Sequence, residues 1–405
     1  MTTIRFIHTA DLHIDTPFIG LSNLPKTILE QVKKSTFTSF GRIVAKAISE
    51  RVDFIVIAGD LYNGANRGLT AQMFLRNEFQ RLADHGIQVY IIHGNHDHLS
   101  GEWAQITWPE NVHYFNGPTP SMIPYTREGE VLAHLYGYSY PKRAVTENIA
   151  SHYNRVEGAP YHIALLHGTA GGSTEHANYA PFLVSELNQQ PFDYWALGHI
   201  HKQKVLHEDP TIIYPGNIQG LNPKETGKKG CFLVELSNYK TTHTFYETSP
   251  IGWEILELDI DDMNEVDELI QFLQKEKNII RRSQRNAIIT IKLSGGAAVL
   301  EYLSKRSAVD ELVQILQDGE DEEGVFVWIH RITVAENRKN IADIAESHFV
   351  NEIISVIEET DNLKEVLSPL YKHRIARKFL DKDDLEEQEI LEEARRLLLD
   401  SMIQT

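Results

Sequence analysis

Two pairs of side chains that can ligate metal ions stand out in the first half of this sequence. Asp11 and His13 form the first pair, and His199 and His201 form the second. Because side chains alternate along an extended backbone, residues spaced by two point to the same side of the chain. Each pair can therefore offer two ligands to one divalent ion.

A third candidate, Asp60, follows the apolar run Phe54–Ala58 and one glycine. A β-branched run of this kind is typical of a strand that is buried on both faces, as in parallel sheets. Open α/β sheets bind ligands at the carboxyl ends of their strands, so Asp60 is predicted to lie at such an edge and could bridge two cations. Taken alone, Gly-Asp is equally compatible with an aspartate that starts a turn or caps a helix.

Polar side chains follow three more predicted strands, over residues 88–92, 162–166 and 194–197. The candidate site residues after these strands are Asn95, His96, Asp97, His167, His199 and His201. Strand ends of one sheet share an edge, so the polar clusters after the first three strands, which end near residues 8, 58 and 92, are predicted to lie on one rim. The two later strands repeat the pattern of a strand followed by candidate ligands. Carboxylate, amide and imidazole donors without a thiolate suit Mn²⁺ or Fe²⁺.

The elements that would position these residues alternate between strands and helices and predict an α/β fold over residues 1–250. Residues 251–338 follow a β-α-β-α-β pattern, which predicts a small second α/β domain. Residues 339–405 are predicted to form a helical tail, including an amphipathic helix over 381–403. The tail either packs on the body of the protein or docks on a partner.

The composition limits the classes of function. The 405 residues are 42% hydrophobic and 24% charged, as in soluble globular proteins of two or three domains. A net charge of -18 argues against non-specific nucleic-acid binding by the whole surface, so a polyanionic substrate would need metal ions and a local basic patch. The single cysteine, Cys231, fits a reducing cytoplasm, and neither a signal peptide nor a membrane span is predicted.

Taken in order, Asp11-x-His13, Gly59-Asp60, Gly94-Asn-His-Asp97, His167 and Gly198-His-x-His201 resemble the calcineurin-like metallophosphoesterases. The segments Phe-Ile-His-Thr-Ala-Asp-Leu-His, Gly-Asp-Leu-Tyr and Tyr-Pro-Gly-Asn are similar to the SbcD-like DNA-repair nuclease branch, and within it to bacterial YhaO-like proteins. The resemblance covers about residues 1–250 and extends more loosely over the middle domain.

This resemblance implies a metallophosphoesterase β-sandwich flanked by helices, with an α/β capping domain and a helical tail. It also implies two metal ions, with Mn²⁺ favoured over Fe²⁺. One ion would be held by Asp11, His13 and His201, the other by Asn95, His167 and His199, and both by Asp60. In the same motifs His96 takes the position of a catalytic histidine, and Asp97 that of the carboxylate that orients it.

The function implied is a DNA exo/endonuclease that works in repair with an SbcC-like ATPase, with a homodimer expected from the branch. Lys202 and Lys204 follow the metal histidines directly, so they are predicted to contact phosphate. Asn63 departs from the branch, where a histidine or an acidic residue is common at a position that helps to place DNA ends. Two alternatives stay open: a phosphodiesterase or phosphatase acting on a small nucleotide or a phosphoprotein, and a non-catalytic scaffold for the ATPase.

Overall fold

The computed structural model describes residues 3–18, 21, 24–64, 67–171, 179–238, 240–303, 307–334 and 363–373. The strands are β1 (Ile4–Thr9), β2 (Phe54–Ala58), β3 (Gln88–Ile92), β4 (Val112–Tyr114), β5 (Ser121–Arg127), β6 (Glu130–Gly137), β7 (Tyr161–His167), β8 (Tyr194–Gly198), β9 (Lys204–Glu208), β10 (Thr211–Tyr214), β11 (Gly230–Leu236), β12 (Thr241–Glu247), β13 (Ile251–Asp259), β14 (Asn286–Ser294) and β15 (Val327–Val334). The helices are α1 (Lys26–Lys33), α2 (Ser35–Glu50), α3 (Leu69–Ala83), α4 (Val184–Gln189), α5 (Val266–Arg281), α6 (Ala297–Leu303), α7 (Ala308–Gln317) and α8 (Leu363–Lys372).

The first large sheet has the strand order β12-β11-β1-β2-β3-β4. Strands β1 to β4 are parallel, and β11 pairs with the other side of β1 in the antiparallel direction. The middle strands are rich in Ile, Val and Phe because both of their faces are covered. Apolar residues of α2 and α3, such as Phe40 and Leu75, cover the outer face.

The second large sheet has the order β5-β6-β7-β8-β10-β9 and lies against the inner face of the first sheet. Aromatic side chains fill the space between them, with the rings of Phe6 and Tyr194 5.2 Å apart. His8 also joins the two sheets: its Nε2–H donates a hydrogen bond to the Leu197 carbonyl (3.1 Å), and its Nδ1 accepts one from the Tyr194 hydroxyl (2.9 Å). The predicted α/β sandwich flanked by helices is therefore confirmed.

A third sheet, β13-β14-β15, is parallel and carries helices α5 to α7, and these elements share a hydrophobic core within the residues predicted to form the small domain. The opposite face of this sheet packs on α1, where Ile28 and Val32 contact a cluster that includes Trp253 and Ile288. The capping role that the family resemblance implies for this predicted domain stays a prediction.

The predicted tail lies mostly outside the described residues, including the amphipathic helix over 381–403. The described part of the tail is α8, in which Val366 and Leu370 are exposed. None of the helices in the described ranges combines the length and the apolar composition that a membrane span requires.

The rim where the two large sheets meet depends on a glycine. Gly198 ends β8 directly before His199, and a Cβ atom there would collide with the carbonyl oxygen of Ala58 at the end of β2. The backbones of the two sheets therefore approach more closely here than any side chain permits. This contact sets the separation of the residues that follow β2 and β8.

We predict that Gly198→Ala lowers the free energy of unfolding by about 1–3 kcal/mol, the usual cost of overpacking, and weakens metal binding by displacing His199. Thermal unfolding and the metal content of the purified protein measure the two effects. Gly41→Ala is the matched control, because a Cβ at Gly41 in α2 meets no atom within 4 Å. The control should be unchanged or more stable by about 0.5–1 kcal/mol. Equal stability of both variants would show that the close approach is not needed.

Candidate metal centre

The structure brings the seven predicted metal-ligating side chains together on one rim. Five strands of the two large sheets, β1, β2, β3, β7 and β8, direct their carboxyl ends to this rim. The predicted ligands lie at these ends or in the loops that follow: Asp11, His13, Asp60, Asn95, His167, His199 and His201.

Two groups of these side chains have metal-like geometry. Asp11, His13 and His201 form one group, and Asp11, Asp60 and His167 form the other, with all ligand atoms of a group within 4.8 Å of one another. Asp11 belongs to both groups, which places the two candidate ion positions side by side. The rim is therefore a candidate two-metal site.

In the first group the ring nitrogens Nε2 of His13 and His201 lie 3.1 Å apart. Asp60 reaches towards the same point, since its Oδ2 is 3.9 Å from Nε2 of His13. Nδ1 of His13 is buried and has no hydrogen-bond partner among the described residues, so within them this ring takes its orientation from packing. Facing imidazole nitrogens beside a carboxylate suit a divalent cation between them.

In the second group Asp60 Oδ2 lies 3.3 Å from Nε2 of His167. The side-chain oxygen of Asn95 is 3.0 Å from that nitrogen and 3.2 Å from Nδ1 of His199. Nδ1 of His167 lies 2.9 Å from the Ala58 carbonyl, a contact that directs Nε2 towards the other donors. Together with Asn95 and His199, the second group therefore offers amide, carboxylate and imidazole ligand atoms around one point.

The two carboxylates of the site are buried and respond differently to their neighbours. Burial raises the pKa of Asp11 to about 6, although His167 and His201 act in the opposite direction. Burial also acts to raise the pKa of Asp60, but the charges of His167 and His96 outweigh it and hold that pKa well below its ordinary value. A buried cluster of this kind needs positive charge nearby, which bound divalent cations would provide.

The backbone of the site is held in an unusual conformation. Positive φ angles occur at Asp11 (50°), His13 (42°), Asp60 (52°) and His199 (101°), all of which carry a Cβ atom. Such angles cost on the order of 1–3 kcal/mol each and persist where the surrounding structure enforces them. Their concentration at the predicted ligands is typical of a functional site.

The structure differs from the prediction that Asp97 orients His96. The Asp97 carboxylate is buried and accepts hydrogen bonds from the backbone N–H groups of Gly94 (2.7 Å) and Leu61 (3.0 Å), and its Oδ2 lies 3.1 Å from Nδ1 of His93. The Asp97 carboxylate therefore stabilises the loop after β3 and links it to the segment after β2. The ring of His96 contacts Asn63 instead: its Nδ1 lies 3.1 Å from the backbone carbonyl oxygen of Asn63.

Two contacts place His96 beside the candidate metal ligands. Its backbone N–H donates a 3.0 Å hydrogen bond to Oδ1 of Asp60, and its ring lies edge-on to His13 with centroids 4.9 Å apart. The ring is partly exposed, as a group that meets a substrate must be.

The remaining predicted contact residues lie close in sequence to the predicted ligands. Asn63 lines a cavity of about 210 Å³ together with Tyr62 and Arg67. The guanidinium of Arg67 stacks on Trp103, 3.4 Å from the ring centroid, and donates to the Asp97 carbonyl. Lys202 and Lys204 are exposed beside His201.

Sequence reasoning did not find Glu225. Its Oε1 lies 2.9 Å from Nδ1 of His201, and this contact holds the pKa of Glu225 near 2 although burial opposes it. Glu225 lies outside the motifs that contain the predicted ligands, so no motif spacing points to it. The only signal was its place in the loop that begins at the Tyr-Pro-Gly-Asn segment.

Comparison with known proteins agrees with this geometry. The family model described as calcineurin-like phosphoesterase matches residues 4–203. The "uncharacterized metallophosphoesterase YhaO" of Bacillus subtilis is 40% identical over 401 residues, which cover 98% of each chain.

More distant similarity links the chain to proteins named DNA double-strand break repair protein Mre11. The protein of Methanopyrus kandleri is 24% identical over 328 residues, 75% of this chain and 67% of that one. The protein of Methanocaldococcus jannaschii is 24% identical over 295 residues, 68% of this chain and 74% of that one. By the ordered motifs, the two-sheet fold and the similarity to YhaO over nearly the whole chain, this protein belongs to the calcineurin-like metallophosphoesterases, a family of metal-dependent phosphoester hydrolases.

Proposed function

We propose that this protein is a two-metal phosphodiesterase that cleaves DNA. The observation that supports the proposal best is the pair of overlapping ligand groups that share Asp11. In this proposal Asp11, His13 and His201 hold one Mn²⁺-type ion. Asn95, His167 and His199 hold the other, and Asp60 contacts both.

The donor set suits the chemistry of phosphodiester hydrolysis. When bound, two such ions supply an activated water near neutral pH and clamp the phosphate oxygens for in-line attack. Asp60 fixes the backbone N–H of His96 beside the site, and Asn63 fixes Nδ1 of the same ring. Nε2 of His96 is then the atom that would stabilise the developing charge or give a proton to the leaving oxygen.

DNA as the substrate is supported by charge and by relatives. The whole chain carries a net charge of -18, yet exposed lysines gather next to His201 and in the loop after β10: Lys202, Lys204, Lys224 and Lys228. Phosphate contacts of this kind position a strand without reading its sequence. Two relatives bear names that assign them to DNA double-strand break repair, which favours DNA over a small nucleotide.

The test of the proposal is cleavage with Mn²⁺ of linear DNA and hairpin DNA, in parallel with a small phosphodiester ester. We expect cleavage of DNA, and a rate that falls steeply with salt because phosphate contacts release counterions. Turnover of the small ester with both DNAs intact would establish the small-substrate phosphodiesterase instead. No turnover of any substrate by protein that holds two ions would favour the scaffold.

A partner and a location complete the proposal. An SbcC-like coiled-coil ATPase in the cytoplasm would engage the tail, and two copies of the chain would form a homodimer. The exposed apolar residues of α8, Val366 and Leu370, support a tail that meets another surface. Co-purification with the ATPase, and its loss when residues after 338 are removed, test this part.

We predict that Asp60→Asn releases bound Mn²⁺ and abolishes activity, because one charge that serves both ion positions is lost. Native mass spectrometry counts the ions, and circular dichroism reports whether the fold is retained. Asp53→Asn is the matched control at the opposite end of the β2 segment, where Asp53 contacts Arg127 and the backbone of Arg5. The control should keep two ions. Two ions in the Asp60 variant would remove Asp60 from the bridging role.

We predict that His96→Ala keeps both ions but lowers kcat on DNA about 10²–10⁴-fold, the usual size of general acid–base assistance. Single-turnover cleavage and the ion count are measured on the same preparation. His85→Ala is the control, since His85 is an exposed histidine beside the end of α3 whose Nδ1 contacts the Arg81 carbonyl. Near-normal cleavage by the His96 variant would assign this histidine a structural role.

A further inference from the structure

A carboxylate controls the outer nitrogen of one candidate metal ligand. Oε1 of Glu225 lies 2.9 Å from Nδ1 of His201, while Nε2 of the same ring faces Nε2 of His13 at 3.1 Å. Nδ1 of the His201 ring is therefore held by Glu225, while Nε2 faces the other predicted ligands. Carboxylates placed in this way fix the tautomer of a ligating histidine and raise its basicity.

Glu225 is itself fixed by donors from its own loop, residues 217–225. Its Oε2 accepts hydrogen bonds from the Asn217 amide and from the backbone N–H of Leu221 (2.9 Å). Its Oε1 also accepts a 2.9 Å hydrogen bond from the Asn222 amide. With both oxygens engaged and its side chain only 15% exposed, the carboxylate has little freedom to turn away from His201.

The same loop is attached to the small domain. The indole N–H of Trp253 in β13 donates a 2.8 Å hydrogen bond to the Gly220 carbonyl. The side-chain amide of Gln219 donates a 2.9 Å hydrogen bond to the Ile251 carbonyl, also in β13. A Cβ atom at Gly220 would lie 2.6 Å from the Trp253 ring, so the indole sits directly against the loop backbone.

We propose that Glu225 is a positioning residue for His201, and that Trp253 of the small domain sets the placement of the loop that carries it. The small domain is then part of the support of the metal centre and not only a separate unit beside it. The inference rests on the proposed function in one respect, since it takes His201 as a metal ligand.

Mn²⁺ titration of the full-length protein, followed by the electron paramagnetic resonance signal of free Mn²⁺, tests the role of Glu225. Glu225→Gln places an amide N–H₂ among four donors and removes the charge next to His201. We expect one of the two ions to bind about 10–100-fold more weakly, the usual effect of losing such a partner, while the other ion keeps its affinity. Glu235→Gln in β11 is the control and should bind both ions normally, because Glu235 contacts only Arg5 among the described ion pairs.

Unchanged affinities for both ions in Glu225→Gln would overturn the inference. Equal weakening of both ions together with a lower melting temperature would also overturn it, because that result indicates a merely structural residue. Failure of the wild-type protein to bind Mn²⁺ would overturn the proposed function and this inference together. Binding of two ions with the same affinities by the wild-type protein and by Glu225→Gln would overturn the inference and leave the proposed function standing.

A second variant tests the link to the small domain and leaves Glu225 in place. Trp253→Phe keeps an aromatic ring but removes the N–H that contacts Gly220. We expect the ion that binds more weakly in Glu225→Gln to bind more weakly here as well. Its dissociation constant should rise by up to about tenfold, the factor that corresponds to the net free energy of one hydrogen bond. Wild-type affinity for both ions in this variant would overturn the role assigned to Trp253.

Discussion

Two carboxylates are buried side by side where the large sheets meet, and the fold must balance their charge. Asp11 and Asp60 lie within one group of ligand atoms that span no more than 4.8 Å, and both are about 1% exposed. Buried anions at this separation are unfavourable unless cations or hydrogen-bond donors surround them. The donors observed are imidazoles and backbone N–H groups, including the N–H of His199 at 3.1 Å from Asp11. The arrangement is therefore best explained as a site built for positive charge.

The same requirement explains features that would otherwise weaken the protein. Asp11 and Asp60 adopt positive φ angles just after β1 and β2, in segments that stay hydrogen-bonded to each other, and both carboxylates lie in one group of ligand atoms. The glycine at the end of β8 lets the second sheet approach until His199 reaches the same place. The fold thus contains strained backbone and a glycine at the positions where the ligand atoms converge.

Much of this centre could be predicted from sequence because its ligands follow buried strands. The runs before Asp60 and His167 are continuous and apolar, so the ends of these strands were evident from the residues. These strands lie in different sheets, however, and the sequence did not indicate that a second sheet completes the rim. The family and the two-sheet α/β fold are confirmed on that basis. The metal-binding role of each side chain stays a prediction.

Other parts left no local signal. Strands β5 and β6 were not predicted; β5 is partly exposed and contains Pro124, which is unusual inside a strand. The contacts of Asp97 with Leu61, His93 and Gly94 differ from the predicted contact with His96, since adjacent residues in a tight loop can point in different directions. Glu225 reaches His201 through a fold in the loop after β10, and no spacing rule describes that approach.

The order of strands in the first sheet has a consequence for what counts as a unit of this protein. The family match ends at residue 203, and all seven predicted ligands precede that point. Strand β11, however, begins at Gly230 and pairs along β1, the strand that leads into Asp11. A fragment that ended with the family match would expose an edge of β1 with unpaired N–H and C=O groups, which invites aggregation. The segment matched by the family model is therefore smaller than the first sheet, which also contains β11 and β12.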